Sequence, residues 1–318
     1  MEKLVFAVFL GLPIVAQGAS LAYPDWAYGV PTPQNEAVAP KDDGTLFSLP
    51  GAKGRFTRGQ ISGAGHKPPA DWYPGDHPAM PPVVAAGDPA RGITACAGCH
   101  NPNGRGRPQN ANIAGLNAEY LVRQLHDMKA GTRRSAEPRK HNAQQMVDFA
   151  KAMTETEMHQ AAAYYASLPP LAAIKVRETD TVPALRSQEG MWLPDKTRPR
   201  EKIGIRVIET PADVDREQLR DPHAGFIAWV PRGAVARGKR LAAALGCAGC
   251  HGEKLTGNGD TAPGIAGRSP SYLARQLYDF RTGSRHGEMA APMQPIVANL
   301  TAGDVVNLTA YLASLPAR

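Results

Sequence analysis

The pentapeptide Cys-Ala-Gly-Cys-His occurs twice in this chain, at Cys96–His100 and again at Cys247–His251. Two thiols three residues apart on one short helical turn project to the same side, and the histidine that follows lies beneath them. Such a unit can add both thiols across the two vinyl groups of one porphyrin and offer a ring nitrogen to its iron, which is the attachment signature of c-type haem. All four cysteines of the chain lie in the two motifs, as Cys96, Cys99, Cys247 and Cys250. None remains for a disulfide or a resolving thiol. A thioredoxin-like site has no use for His100 or His251. A zinc shared by the two pairs would leave both histidines idle across the length of a domain. Two covalently bound haem c groups are expected, with the chain folded as a shell around each.

Haem is joined to such motifs outside the cytoplasm, and the N-terminus agrees. Glu2 and Lys3 precede an apolar run from Leu4 to Ala16, broken by Pro13, and small residues follow to Ala22. This pattern predicts a signal peptide over residues 1–22, cleaved after Ala22 in preference to Gly18, and hence a periplasmic protein. The run is short for a bilayer span, and no later segment is apolar enough to cross a membrane. The formal charge of +7 is offset by about four negative charges from two pairs of haem propionates. The holoprotein is therefore mildly basic, which suits an acidic redox partner or peripheral contact with a membrane surface. No basic run interleaved with aromatics is present, so nucleic acid is not an expected partner.

The chain reads as one module written twice. Ala90-Arg91-Gly92 and Ala236-Arg237-Gly238 lead into the motifs, and Ile113-Ala114-Gly115 and Ile265-Ala266-Gly267 follow them. Tyr120-Leu121-Val122-Arg123-Gln124-Leu125 then matches Tyr272-Leu273-Ala274-Arg275-Gln276-Leu277, Gly131 and Arg133 match Gly283 and Arg285, and each module ends in Ala-Ser-Leu-Pro. Each module is expected to hold a first helix running into the motif, a second between Asn117 or Ser269 and Gly131 or Gly283, and a last one. The last opens with a capping box at Thr154/Glu157 or Thr301/Asp304 and ends at Pro169 or Pro316. Gly238 and Tyr311 would let the first and last helices cross closely.

The second axial ligand decides whether such an iron carries electrons or meets a substrate. Met146 and Met293 occupy one position of the repeat, each seven residues before the apolar residue that opens the last helix, Met153 or Leu300. Met128, Met153 and Met158 align with Phe280, Leu300 and Val305, exchanges that indicate core filling. Met289 aligns with Asn142. His141 and His286, the nearest histidines, do not align with each other. The metal ligands expected are therefore His100 with Met146, and His251 with Met293, a pairing that raises the potential. Arg133 and Arg285, ahead of Arg123 and Arg275, are candidates to pair with haem propionates. The carbonyl of Pro263, and that of Ala111 in module one, is placed to accept from the proximal imidazole.

These motifs together resemble the class I cytochrome c fold, and more closely the dihaem cytochromes of the cytochrome c4 / c553 type. The resemblance covers about residues 85–170 and 233–318. It implies a mainly α protein of two tandem cytochrome c domains that passes single electrons from a quinol-linked complex or dehydrogenase to a terminal oxidase or another cytochrome, with no catalytic residue of its own. Residues 23–84 form a Pro/Gly-rich extension, and residues 171–232 an insert with extended stretches at Ile174–Glu178, Ile203–Glu209 and Phe226–Val230 that read as a small sheet. The alternative is a dihaem oxidoreductase, peroxidase-like, with one open iron. The aligned methionines argue against an open site, and a thiolate-ligated sulfur enzyme would need a further cysteine.

Overall fold

The computed structural model describes residues 24–317. The expected signal peptide, residues 1–22, lies outside the described residues. Helices dominate: α1 (Asp25–Tyr28), α2 (Arg58–Ser62), α3 (Pro82–Ala85), α4 (Cys96–His100), α5 (Ala118–Ala130), α6 (His141–Ala152), α7 (Glu155–Ser167), α8 (Val214–Gln218), α9 (Ala234–Ala244), α10 (Cys247–His251), α11 (Pro270–Arg281), α12 (Met293–Val297) and α13 (Ala302–Ser314).

Local chemistry sets the ends of the long helices. Asn117 Oδ1 accepts from the Tyr120 N–H at 3.1 Å and Ser269 Oγ from the Tyr272 N–H at 3.1 Å, starting α5 and α11. Gly131, at φ +77°, ends α5 in the left-handed conformation that only glycine adopts without strain. Reciprocal capping boxes start α7 and α13: Thr154 with Glu157, and Thr301 with Asp304.

The first helix differs between the modules. In module two α9 is three turns long and crosses α13 at Gly238, where an added Cβ would collide with the Asn307 carbonyl and lie 2.7 Å from Tyr311 Cβ. In module one the expected first helix is absent. Asp88 caps a single 3-10 turn, Pro89–Arg91, which Gly92 closes at φ +72° between two-residue strands. Pro89 and the glycines at 87 and 92 prevent a longer helix here. The recurring arginine keeps one task in both settings, which is to reach the last helix: Arg91 bonds Glu157 on α7 at 3.0 Å and Arg237 bonds Asn307 on α13 at 3.2 Å.

The insert folds around a three-stranded sheet. Its central strand, Phe226–Pro231, runs parallel to Ile174–Thr179 and antiparallel to Ile208–Pro211. The expected strand at Ile203–Glu209 begins only at Ile208, because Gly204 turns the chain at φ +57° and Arg206 Nε donates back to the Ile203 carbonyl at 2.8 Å. A hairpin, Ala184–Gln188 with Met191–Asp195, completes the insert. Ile208, Ala228 and Val230 share one apolar core with Tyr278, Val305 and Leu308 of module two. The N-terminal extension ties into both neighbours: Trp26 and Tyr28 enter that same core, and Trp72 caps a separate cluster with Leu49 and Ile61. The core of module one, which includes Val84, Leu121, Met153, Met158 and Tyr165, is separate.

Candidate metal centre

Both motifs form a single helical turn, and in both the chain then loops back over the histidine. In module one Asn101 takes φ +63°, Gly106 N–H donates to the His100 carbonyl at 2.8 Å, and the loop returns Ala111 to the imidazole. His100 Nδ1 lies 2.8 Å from the Ala111 carbonyl oxygen. In module two the short ladder Gly257–Asn258 with Ala262–Pro263 does the same work, and His251 Nδ1 lies 2.8 Å from the Pro263 carbonyl oxygen. A carbonyl only accepts, so in each ring Nδ1 holds the proton and Nε2 keeps its lone pair for a metal. Burial pushes both histidines below the usual imidazole pKa, against the opposing effect of the carbonyl bond, so both rings are neutral at pH 7.

Module one holds a cavity that opens to solvent on one side. Cys96, Cys99, His100 and Met146 all line it. Met146 arrives on α6, a helix the sequence reading did not anticipate. Met128 and Met153 also face the cavity, while Met158 is fully buried in the core. His141 and His286 are exposed, and neither lines the cavity. In module two His251 is buried, and Met293 opens α12 and packs on the same apolar cluster as Cys247.

The cavity lining suits a large planar group with a charged edge. Its walls are apolar near Ile93, Leu121, Leu125 and Phe149. Three buried polar atoms in the lining lack a hydrogen-bond partner: Gln109 Oε1, Lys140 Nζ and Tyr165 Oη. Tyr165 sets its ring edge-on to His100, with centroids 6.1 Å apart. Burial pushes the Cys96 thiol up to about 12, which keeps it protonated until it reacts. The thiol pair, the imidazole and a thioether thus line one cavity, and this lining fits a porphyrin.

The recurring arginines build the seam between the modules. Arg133 donates to Gln124 of its own module at 2.9 Å, and to Tyr272 and Gln276 of the other at 3.1 Å each. Arg285 mirrors this, donating to Gln276 at 2.9 Å, Tyr120 at 3.1 Å and Gln124 at 2.7 Å. The backbones join as well, through Arg134 N–H to the Ser284 carbonyl and His286 N–H to the Thr132 carbonyl, both 2.8 Å. Each side thus presents the same patch to the other, the pattern of a two-fold contact within one chain. Arg123 pairs with Asp260 at 3.0 Å outside the cavity, whereas Arg275 lines it. The sequence reading assigned neither Gln124 nor Gln276 a role, although their recurrence was visible.

The insert and the extension cover the first motif and leave the second open. Glu217 on α8, fully buried, accepts from Arg105 at 3.1 Å and Arg107 at 2.6 Å, both in the loop after the motif. Arg220 donates to the Gly98 carbonyl inside the motif. Trp72 of the extension donates to the Leu219 carbonyl at 2.8 Å, pinning α8 from outside. Cys99 is half-buried in consequence, whereas its counterpart Cys250 is exposed.

A cytochrome c family model matches residues 89–169 and 235–316. These two segments hold the two motifs and make up just over half of the chain. The chain belongs to the cytochrome c family. It is a dihaem class I cytochrome, cytochrome c4-like, with two covalently bound haem c groups. It is 28% identical to cytochrome c4 of Azotobacter vinelandii over 239 residues, covering 73% of this chain and 90% of that protein. It is 24% identical to a thiosulfate dehydrogenase electron acceptor of Thiomonas intermedia (strain K12) over 258 residues, covering 78% and 84%. Among solved structures it is similar to a thiosulfate dehydrogenase from Marichromatium purpuratum, with a TM-score of 0.50 and 29% identity, over 74% of this chain and 39% of that longer chain.

Proposed function

We propose that this cytochrome is an exported one-electron carrier whose two irons are each bound by a histidine and a methionine, His100 with Met146 and His251 with Met293. Cys96 and Cys99 hold one porphyrin, Cys247 and Cys250 the other. Each haem, when bound, supplies an iron that accepts and gives up one electron. The protein would orient each proximal imidazole through its carbonyl partner, and in module one the apolar part of the lining would exclude water while Met146 would supply a thioether. The observation that carries this reading is the sharing of one cavity by Cys96, Cys99, His100 and Met146. A carboxylate that served a peroxidase would have to be free over an open iron. The carboxylate in the lining is Asp279, and its oxygens already accept from the Ala136 N–H at 2.8 Å and the Gln276 amide at 2.9 Å.

The donor we infer is a periplasmic dehydrogenase acting on a reduced sulfur compound. The name of the Thiomonas relative, a thiosulfate dehydrogenase electron acceptor, supports this. Among the described residues no helix is long and apolar enough to cross a membrane. The apolar run Leu4–Ala16 supports export.

Low-temperature EPR of the ferric holoprotein tests the ligands. Two low-spin signals are expected, with the far-red methionine–iron absorbance lost stepwise in Met146→Ala and Met293→Ala. A persistent high-spin signal in intact protein would overturn the carrier reading for that module. Stopped-flow mixing with a thiosulfate dehydrogenase tests the donor. Reduction should require both enzyme and thiosulfate, and no acceleration by the enzyme would exclude this class of donor.

A further inference from the structure

Lys140 is the least expected residue in the cavity of module one. Its ammonium lies in the lining, is buried, and has no hydrogen-bond partner. An isolated buried cation is costly, so a lysine held this way answers to an anion or loses its proton. Without a partner, burial and then the nearby Arg275 push it well below the usual lysine value.

Its neighbours belong to the polar side of the cavity, which also carries Arg133, Arg134 and Asp279. Gln109 lines the same end, and its unpartnered Oε1 is an acceptor that faces a cation and not a carboxylate. Arg275, reaching in from module two, donates to the Pro108 carbonyl at 2.8 Å, next to Gln109, and to the Ala27 carbonyl at 2.6 Å. The lid over this end comes from outside the family match. Gly190, at φ +79° in the turn of the insert hairpin, is so close that an added Cβ would sit 3.4 Å from Lys140 Nζ and 3.6 Å from Gln109 Cβ. Behind Gly190 stands Gly29 of the extension, where any Cβ would strike the Gly190 backbone. Extension and insert together seal the lysine from water.

Module two has no equivalent. Between Arg285 and Met293 it carries His286-Gly287-Glu288-Met289-Ala290-Ala291-Pro292, with no lysine, and His286 is exposed. The place of Gln109, two residues before the carbonyl that holds the proximal histidine, is taken by Thr261.

We propose that Lys140, with the Arg275 cation beside it, binds a propionate carboxylate of the module-one haem in this sealed site, and that the added positive charge gives that haem the higher potential of the two. This rests on the His/Met reading above. A cation held at the haem edge in a low-dielectric site favours the form carrying the extra electron, and water cannot screen it. The extension and insert thereby acquire a redox role, because they hold the lysine dry.

Spectroelectrochemical titration of the intact holoprotein tests this. Lys140→Met, with a side chain of similar length and no charge, should lower the potential of the module-one haem by the equivalent of at least tenfold in its reduction constant, about 59 mV for one electron. The other haem should shift much less, and Lys140→Arg should stay near the wild type. Unchanged potentials in fully loaded Lys140→Met, with the methionine–iron absorbance intact, would overturn the proposal alone. Loss of that absorbance in the wild type would instead overturn the His/Met reading. If Lys140→Met fails to load haem, a crystal structure of the wild-type holoprotein decides. Lys140 Nζ is expected about 2.7–3.2 Å from a propionate oxygen, and a lysine bound to iron or turned away from the carboxylate overturns the assignment.

Discussion

Glu217 shows how much one side chain contributes to holding the first motif. It is fully buried and is shared by Arg105 and Arg107. Such a pair adds little over a well-packed apolar replacement, but removing one partner strands the others. Glu217→Ala leaves two buried guanidinium groups facing each other and should cost about 3–5 kcal/mol in urea unfolding. Glu157 belongs to the same scale with a different sign of interest. Its carboxylate is held down to about 2 by hydrogen bonds from Arg91, ahead of those from Thr154 and the Arg91 charge. A carboxylate depressed in the folded state contributes stability that is complete above its unfolded value near 4.5 and is lost as pH falls toward 2. The thermal midpoint should therefore drop over that window, and Glu157→Gln should flatten the drop while lowering stability at pH 7.

At the scale of elements, the same tripeptide has two outcomes. Ala236-Arg237-Gly238 lies within a three-turn helix because Gly238 lets α9 and α13 meet backbone to side chain. Ala90-Arg91-Gly92 is a 3-10 turn whose glycine closes it with nothing packed nearby. The two glycines should therefore respond differently to substitution. Gly238→Ala forces α9 off α13, and overpacking of this kind costs about 1–3 kcal/mol. Gly92→Ala meets no neighbour, and its cost is the strain of a positive φ, about 1 kcal/mol. Paired denaturation curves of the two variants check the order.

For the whole molecule, the seam between the modules is the decisive contact. Gln124 and Gln276 each accept from both Arg133 and Arg285, so four side chains share one network. Replacing both glutamines by leucine leaves half-buried Arg133 with the Tyr272 hydroxyl, and buried Arg285 with the Tyr120 hydroxyl and the Phe280 ring. The holoprotein should then unfold in two calorimetric transitions, one per module, where the wild type shows one. A single transition in Gln124→Leu/Gln276→Leu would mean that the insert and extension, not this network, couple the modules. Both additions are placed to help: the insert packs its sheet on module two and clasps the motif of module one with α8, while Trp26 of the extension enters the core of module two and Trp72 bonds Leu219 after α8.

The motifs, the helix caps and the internal repeat were legible in the sequence because their physics is local. A Cys-x-x-Cys-His turn, an Asn or Ser cap and a Thr-x-x-Glu box each need only a few neighbouring residues. The backbone partners of His100 and His251 were readable for the same reason, since Ala111 and Pro263 lie eleven and twelve residues on. Only the tertiary structure decided what covers which haem. The clasp of Glu217 on Arg105 and Arg107 spans more than a hundred residues, and nothing in the local pattern distinguishes it from a solvated charge. Lys140 lay beyond the reach of the repeat, because module two does not carry it. Its place in the cavity depends on Gly190 and Gly29 closing over it, contacts between segments that have no counterpart in the other half of the chain.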